Sequence, residues 1–269
     1  MPSPDPRAHT TLGSAAPVEA AEPFGAPPVG AAAIELRAVT RVYRDRPALG
    51  PIDLTIPAGE FLTVVGPSGC GKSTLLSLVA GFAPPTAGSV LAEGSPVTGP
   101  GPSRGVVFQQ PRLFPWLSVS GNIAFGLKRW PKTSRAERVA ELLAMTGLEN
   151  AARLKPYELS GGMRQRAAIA RALAPRPKVL LMDEPFGALD AFTRERMQEE
   201  IRDLWRSTGV TVLFITHDVT EATTLGTRVL ALAGPPGRIT LDAPVSGDLR
   251  EKVEAAIRTA ASARADTTA

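Results

Sequence analysis

Cysteine is almost missing from this chain: Cys70 is its only thiol, so an internal disulfide is excluded and a reducing compartment is the expectation. Histidine is nearly as scarce, with two copies, and tyrosine likewise, so each one stands out. No apolar run approaches the roughly 18 to 20 residues that cross a bilayer, so a membrane association must run through a partner or the surface. The N-terminus has no charged start followed by an apolar stretch, which excludes a secretory signal and makes the cytoplasm the default. Charge of one sign is not abundant either. The formal net charge of +4 is Arg excess in an Ala- and Pro-rich chain and says little about partners. What the chain does have is 269 residues with 43% hydrophobic content, enough to bury a full α/β core as one large domain with a subdomain.

The most informative stretch runs from Val64 to Thr74. It fits G-x-x-x-x-G-K-[ST], with Gly66 and Gly71 as the glycines, Pro67, Ser68, Gly69 and Cys70 between them, then Lys72, Ser73 and Thr74. Glycines let the backbone curl until several N–H groups point inward at phosphate oxygens, and a following helix adds the positive end of its dipole. Lys72 brings a full charge to the β- and γ-phosphates, and the Ser73 hydroxyl is placed to ligate Mg²⁺. A β-branched and apolar strand over Glu60 to Val65 and a helix-compatible pattern from Ser73 to Ala80 predict strand, loop and helix, the context such a motif requires.

The first 32 residues are rich in Pro, Ala, Ser and Gly without apolar periodicity and predict a disordered leader. Strands are predicted over Ile34 to Val39 and Ile52 to Ile56, joined by a turn over Asp45 to Pro51, with a further strand at Ser89 to Ala92. Tyr43 reads either as a half-buried strand aromatic or as a face for a nucleobase. The apolar strand Gly105 to Phe108 ends at Gln109, which is either an active-site amide or a solvated loop residue. Pro111 to Trp116 is apolar for a loop and fits an interface or internal packing. Ser134 to Glu137 reads as a capping box opening a helix that Gly147 closes. Residues 117–158 read as a mostly helical insertion.

Further on, Ser160, Gly161 and Gly162 open a helix and form either an N-cap or a second anion-facing nest. The strand Val179 to Met182 delivers Asp183 and Glu184 at its end, suited to Mg²⁺ handling and water activation, or simply to capping the next turn. Asp190 precedes an amphipathic helix, and the strand Val210 to Ile215 ends in Thr216, His217 and Asp218. Strands over Arg228 to Ala233 and Ile239 to Leu241, then a helix over Asp248 to Ala261, complete the chain.

In that order these segments resemble the ATP-binding subunit of an ABC transporter. Gly66 to Thr74 matches the Walker A loop, Gln109 the Q-loop, Leu159 to Met163 the family signature, Leu180 to Glu184 the Walker B strand, and His217 the switch histidine. Met163 stands where many members have Gln, a variant common among importer subunits. The resemblance implies an α/β P-loop NTPase fold of the ABC nucleotide-binding type, with a mixed-sheet core, an antiparallel β subdomain and a helical subdomain at about 117–174. The ATPase domain would span 33–245 and be followed by a C-terminal helix and tail over 246–269. It also implies ATP and Mg²⁺ as cofactors. Tyr43 would stack on adenine; Lys72 and the loop amides would hold phosphates; Ser73 and Gln109 would ligate Mg²⁺ with Asp183 supporting it. Glu184 would polarise the attacking water, and His217 would contact the γ-phosphate. Ser160, Gly161 and Gly162 would serve the ATP of an opposite subunit, with Asp190 in the loop linking the two sites.

A finer resemblance, through Gly99 to Gly101, Leu113 to Trp116, Phe186 to Thr193 and Pro236 to Ile239, is to ATPases that import taurine, aliphatic sulfonates or nitrate, the taurine branch above all. It implies a homodimer on the cytoplasmic face of the inner membrane, bound to permease subunits and served indirectly by a periplasmic or lipid-anchored solute-binding protein, without nucleic acid. The substrate would never touch this chain. Two other readings compete. A soluble ABC-type ATPase of DNA repair or translation usually carries long coiled-coil insertions or two cassettes, and a small-molecule P-loop kinase leaves Ser160 to Gly162 and His217 unexplained.

Overall fold

The computed structural model describes residues 32–187 and 189–265, so the expected leader lies outside the described residues except for Ala32. Two long strands, β1 (Ala32–Tyr43) and β2 (Arg46–Pro57), form an antiparallel hairpin. Its turn is Arg44–Asp45, with φ of 43° and 66°, and not the expected Asp45 to Pro51. Two successive positive φ values make the tight hairpin turn that matches strand twist. The prolines that suggested a loop sit inside β2, which is the edge of its sheet, where a missing N–H leaves no ladder bond unmade.

After β3 (Phe61–Val65) comes α1 (Lys72–Ala80), then β4 (Ala87–Ala92), the short β5 (Ser95–Pro96) and β6 (Arg104–Val107). The helical segment holds α2 (Val119–Ala124), α3 (Lys132–Met145) and α4 (Gly161–Leu173). Ser134 opens no capping box: α3 starts earlier, behind Pro131. Proline at φ −54° is preset for helix entry and lacks only an N–H that would have no helical partner there. Gly147 does close the helix, with φ 62° and its N–H on Ala144 O at 3.2 Å. The remaining elements are β7 (Val179–Asp183), α5 (Ala191–Thr208), β8 (Thr211–Thr216), α6 (Val219–Leu225), β9 (Arg228–Ala233), β10 (Arg238–Pro244) and α7 (Leu249–Ala265).

Two sheets result, one in the order β2-β1-β4-β5 and one in the order β10-β9-β3-β8-β7-β6. The first is antiparallel; in the second, all neighbours are parallel except β10 on β9. Strands β3 and β8 are buried at every residue, which is why they read as unbroken apolar runs rather than alternating ones. Helix α1 packs with both sheets and buries Leu75, Leu76, Leu78 and Val79 in a core shared with Ile34, Leu54, Val64 and Ile215. The opposite face of the second sheet carries a second core, where Met182 and Phe214 meet Ile169, Leu173, Met197 and Ile201 of α4 and α5. Register in the parallel sheet puts Val65, Met182–Asp183 and Ile215–Thr216 at one edge. That edge is where strand ends open a crevice for ligands.

Candidate functional site

The loop between β3 and α1 is shaped by close packing from below. A Cβ on Gly66 would stand 2.1 Å from Leu232 O, so only a bare Cα lets the loop settle on β9. Gly71 has φ 99°, and a side chain there would also meet Leu49 at 2.6 Å. Ser68 and Gly69 form the exposed rim, Pro67 and Thr74 are half-buried, and Leu75 N–H closes the first helical turn on Gly71 O at 2.9 Å. Lys72 is 6% exposed, and its Nζ donates to Gly66 O at 2.7 Å and Pro67 O at 3.1 Å, so its charge lies across the loop it belongs to. The Cys70 side chain is fully buried in the core under the loop, with Sγ 2.9 Å from the Cβ position of Gly66.

The ends of β7 and β8 bring the polar groups to this loop. Ser73 Oγ donates to Asp183 Oδ1 at 3.2 Å, joining residues 110 positions apart. Burial raises the Asp183 carboxyl above its ordinary value and the Glu184 charge adds to the rise, while Ser73 and Lys72 pull it down. Two hard oxygen donors beside a phosphate loop suit Mg²⁺, which takes one or two protein oxygens and completes its shell from phosphate and water. Glu184 stands at φ 44°, held there by its N–H on Ile215 O at 3.0 Å and by Gly187 N–H on its own carbonyl at 3.1 Å. His217 Nδ1 lies 3.1 Å from Glu184 Oε2. The bond forms when Nδ1 carries the proton.

The other expected residues are placed further out. Gln109 is exposed just past β6, and its Nε2 is 2.9 Å from the Cβ position of Gly187; it makes no hydrogen bond to Ser73 or Asp183 among the described residues. Tyr43 ends β1 at 41% exposure, with the Arg41 guanidinium 4.3 Å over its ring, so one aromatic face is already covered. Ser160 caps α4, its Oγ accepting from Met163 N at 3.2 Å, while a Cβ on Gly161 would stand 3.6 Å from Leu189 and one on Gly162 3.1 Å from Thr193. Asp190 caps α5 by accepting from Thr193 N at 2.9 Å, and those backbone donors hold its carboxyl below the ordinary value. The signature helix and the Asp190 turn therefore form one packed unit.

Sequence reading missed three polar anchors. Asn122 is fully buried and binds both sides of the Phe114 peptide, accepting from its N–H at 2.8 Å and donating to its carbonyl at 3.2 Å. Arg171 donates to Arg112 O at 2.7 Å and Pro111 O at 3.0 Å, fixing the same loop from α4. Glu221 is 6% exposed and bonds Thr216. The Asp218 and Glu221 spacing has the form of a helix-start box, the one signal that could have drawn attention to it. The loop that Asn122 and Arg171 support presents Trp116 at 68% exposure, with the Phe114 ring tilted against Trp116 and Phe125 at 5.5 and 4.3 Å.

Comparison with known proteins agrees with this geometry. The family model described as ABC transporter matches residues 49–187. A taurine import ATP-binding protein of Roseobacter denitrificans is 51% identical over 213 residues, covering 76% of this chain and 80% of that protein. Its counterpart from Escherichia coli K12 is 51% identical over 199 residues, 73% and 78% of the two chains. Among solved structures, CbiO1 of Clostridium perfringens, part of an ABC transporter complex, superposes with a TM-score of 0.76 at 28% identity over 83% of this chain and 92% of that one. An ATP-binding cassette solved as a dimer in a post-hydrolysis state with ADP and phosphate gives 0.70 at 33% identity over 80% and 99%. The loop, the paired carboxylates and the histidine at one sheet edge, with these likenesses, identify the chain as a member of the ABC transporter family, carrying its ATPase domain.

Proposed function

We propose that this chain is the ATP-hydrolysing subunit of an importer for taurine or a related aliphatic sulfonate. The observation that carries the hydrolytic reading is the meeting of Ser73 with Asp183 and of Glu184 with His217 at the mouth of the Lys72 loop. The loop amides and Lys72 bind the phosphates; Ser73 and Asp183 would hold Mg²⁺, which would supply neutralisation of phosphate charge. Glu184, oriented by His217, accepts a hydrogen bond from the attacking water and aims it in line, so the residues contribute positioning and charge rather than covalent chemistry. The sulfonate assignment rests on the 51% identity to taurine import ATP-binding proteins.

No helix among the described residues is long and apolar enough to cross a membrane, so coupling to transport requires an integral-membrane partner. The aromatic loop over Phe114 to Trp116, pinned from behind by Asn122 and Arg171, is the surface offered to it at the cytoplasmic face of the inner membrane. Two copies act together, with Ser160 of one completing the Lys72 site of the other. A deletion strain tested for growth on taurine, other sulfonates and nitrate as sole sources decides the substrate. Loss on taurine alone, restored by the parent gene and not by Lys72→Ala, is the expected result. Loss on nitrate alone would move the chain to the nitrate branch, and no transport loss would favour a non-transport ABC ATPase.

A further inference from the structure

His217 sits between two residues that are tied to one another. Thr216 Oγ1 accepts from Asp218 N at 3.0 Å and donates to Glu221 Oε2. Asp218 Oδ1 accepts in turn from Thr220 N at 2.8 Å and Glu221 N at 3.2 Å. The second oxygen of Glu221 accepts from Gln198 Nε2 of α5 at 3.3 Å. Helix α6 is itself anchored at its far end, where Thr63 Oγ1 donates to Ala222 O at 3.0 Å and Arg202 Nη2 donates to Thr224 O at 2.7 Å. A carboxylate in so buried a place is costly to keep charged, and breaking such a network leaves an unpaired buried polar group.

We propose that Glu221 is a positioning residue for hydrolysis: it fixes the backbone that carries His217 and locks it to α5, keeping the imidazole on Glu184. One oxygen holds the strand end through Thr216; the other holds the helix that starts at Asp190. Loosening this brace displaces the histidine, which costs turnover, while the phosphate loop, held by its own packing on Leu232 and Leu49 and by the Lys72 bonds, binds nucleotide as before. The inference rests on Glu184 and His217 acting in hydrolysis as proposed above.

The test uses the full chain, with its permease where ATPase activity requires it. Glu221→Leu removes both bonds, and Thr216→Val removes the Thr216 half with little change of volume, which covers the case that the leucine variant fails to fold. Each should lower kcat by about 10- to 100-fold with KM for ATP changed by less than about 2-fold. Glu221→Gln should keep most of the parent turnover, because its amide accepts from Thr216 and donates to a flipped Gln198. Ring ¹⁵N signals provide a second readout, since His217 shares the chain with one other histidine, His9, as internal reference. Both disruptive variants should shift the His217 signals away from the pattern of a hydrogen-bonded Nδ1–H. Unchanged His217 signals, unchanged kcat, or a loss carried by KM in Thr216→Val would each overturn the proposal. His217→Ala tests the underlying reading separately: full turnover in that variant would refute the role of His217 itself and the brace with it, whereas loss there with intact turnover in Thr216→Val would refute only the brace.

Discussion

Glu184 is held at φ 44° although it carries a side chain, a conformation that costs an L-residue roughly 1–2 kcal/mol. Its backbone is over-determined by bonds to Ile215 and Gly187, so the strain is sustained by the strands around it. Asparagine visits this region more readily and cannot act as a general base. Glu184→Asn should therefore melt no lower than the parent, and by up to about 1 kcal/mol higher, while ATP turnover falls by about 10²-fold or more. Scanning calorimetry beside a phosphate-release assay reads both; a clear drop in melting temperature would mean the backbone there is not strained. Cys70 makes the opposite point. The thiol two residues before Lys72 in sequence is fully buried under the loop. A thiol reagent should label the native protein no faster than the protein unfolds, since buried structural cysteines are inert. Rapid labelling that Mg-ATP blocks would put the thiol back on the nucleotide side.

At the level of elements, α6 carries a titratable group inside the fold. Burial pushes the Glu221 carboxyl above its ordinary value of 4.5, against the pull of Thr216 and Gln198. A carboxyl raised on folding adds stability below the ordinary value and loses it as pH rises through the raised one. Glu221→Gln removes that titration, so the melting temperature of the variant should gain on the parent as pH climbs above 4.5, and a gap constant with pH would contradict the burial cost. The loop before α2 is subject to a different constraint. Trp116 is 68% exposed while Asn122 secures the backbone behind it, so Trp116→Glu should change stability by less than about 0.5 kcal/mol yet weaken assembly with the permease in a pull-down. Unfolding of the variant would show that the ring is part of the core.

For the whole molecule, the phosphate loop and the helix start at Ser160 belong to different units of the fold. The Lys72 loop rests on β9 and β2, whereas Ser160 heads a helix packed on Leu189 and Thr193. If each serves the other's copy, Lys72→Ala and Ser160→Arg should each lose about 10²- to 10³-fold in turnover as homodimers, and their mixture should recover activity through a heterodimer with one intact site. Circular dichroism melts guard against simple loss of the Ser160 cap, which is worth about 0.5–2 kcal/mol. No recovery in the mixture, with both variants folded, would sink the shared-site model for this subunit.

Local chemistry alone was enough for much of the reading. Gly66, Gly71, Lys72 and Ser73 declare a phosphate loop because their spacing is imposed by a short, contiguous backbone curl. Strands β3, β7 and β8 were legible because burial on both faces leaves no polar position to confuse the pattern. The misreadings were also local in origin. Pro47 and Pro51 look like turn residues until β2 proves to be an edge, and Ser134 looks like a cap until Pro131 starts the helix earlier. What the sequence by itself determined is which residue types are present and on which element each stands. Only tertiary structure decided their partners: the contact of Ser73 with Asp183, the bond of His217 to Glu184, the brace of Glu221 on Thr216 and Gln198, and the inward turn of Cys70. The physical reason is that hydrogen bonds and burial depend on distances between strands and helices far apart in the chain, and those distances are set by sheet order and register, which no local pattern encodes.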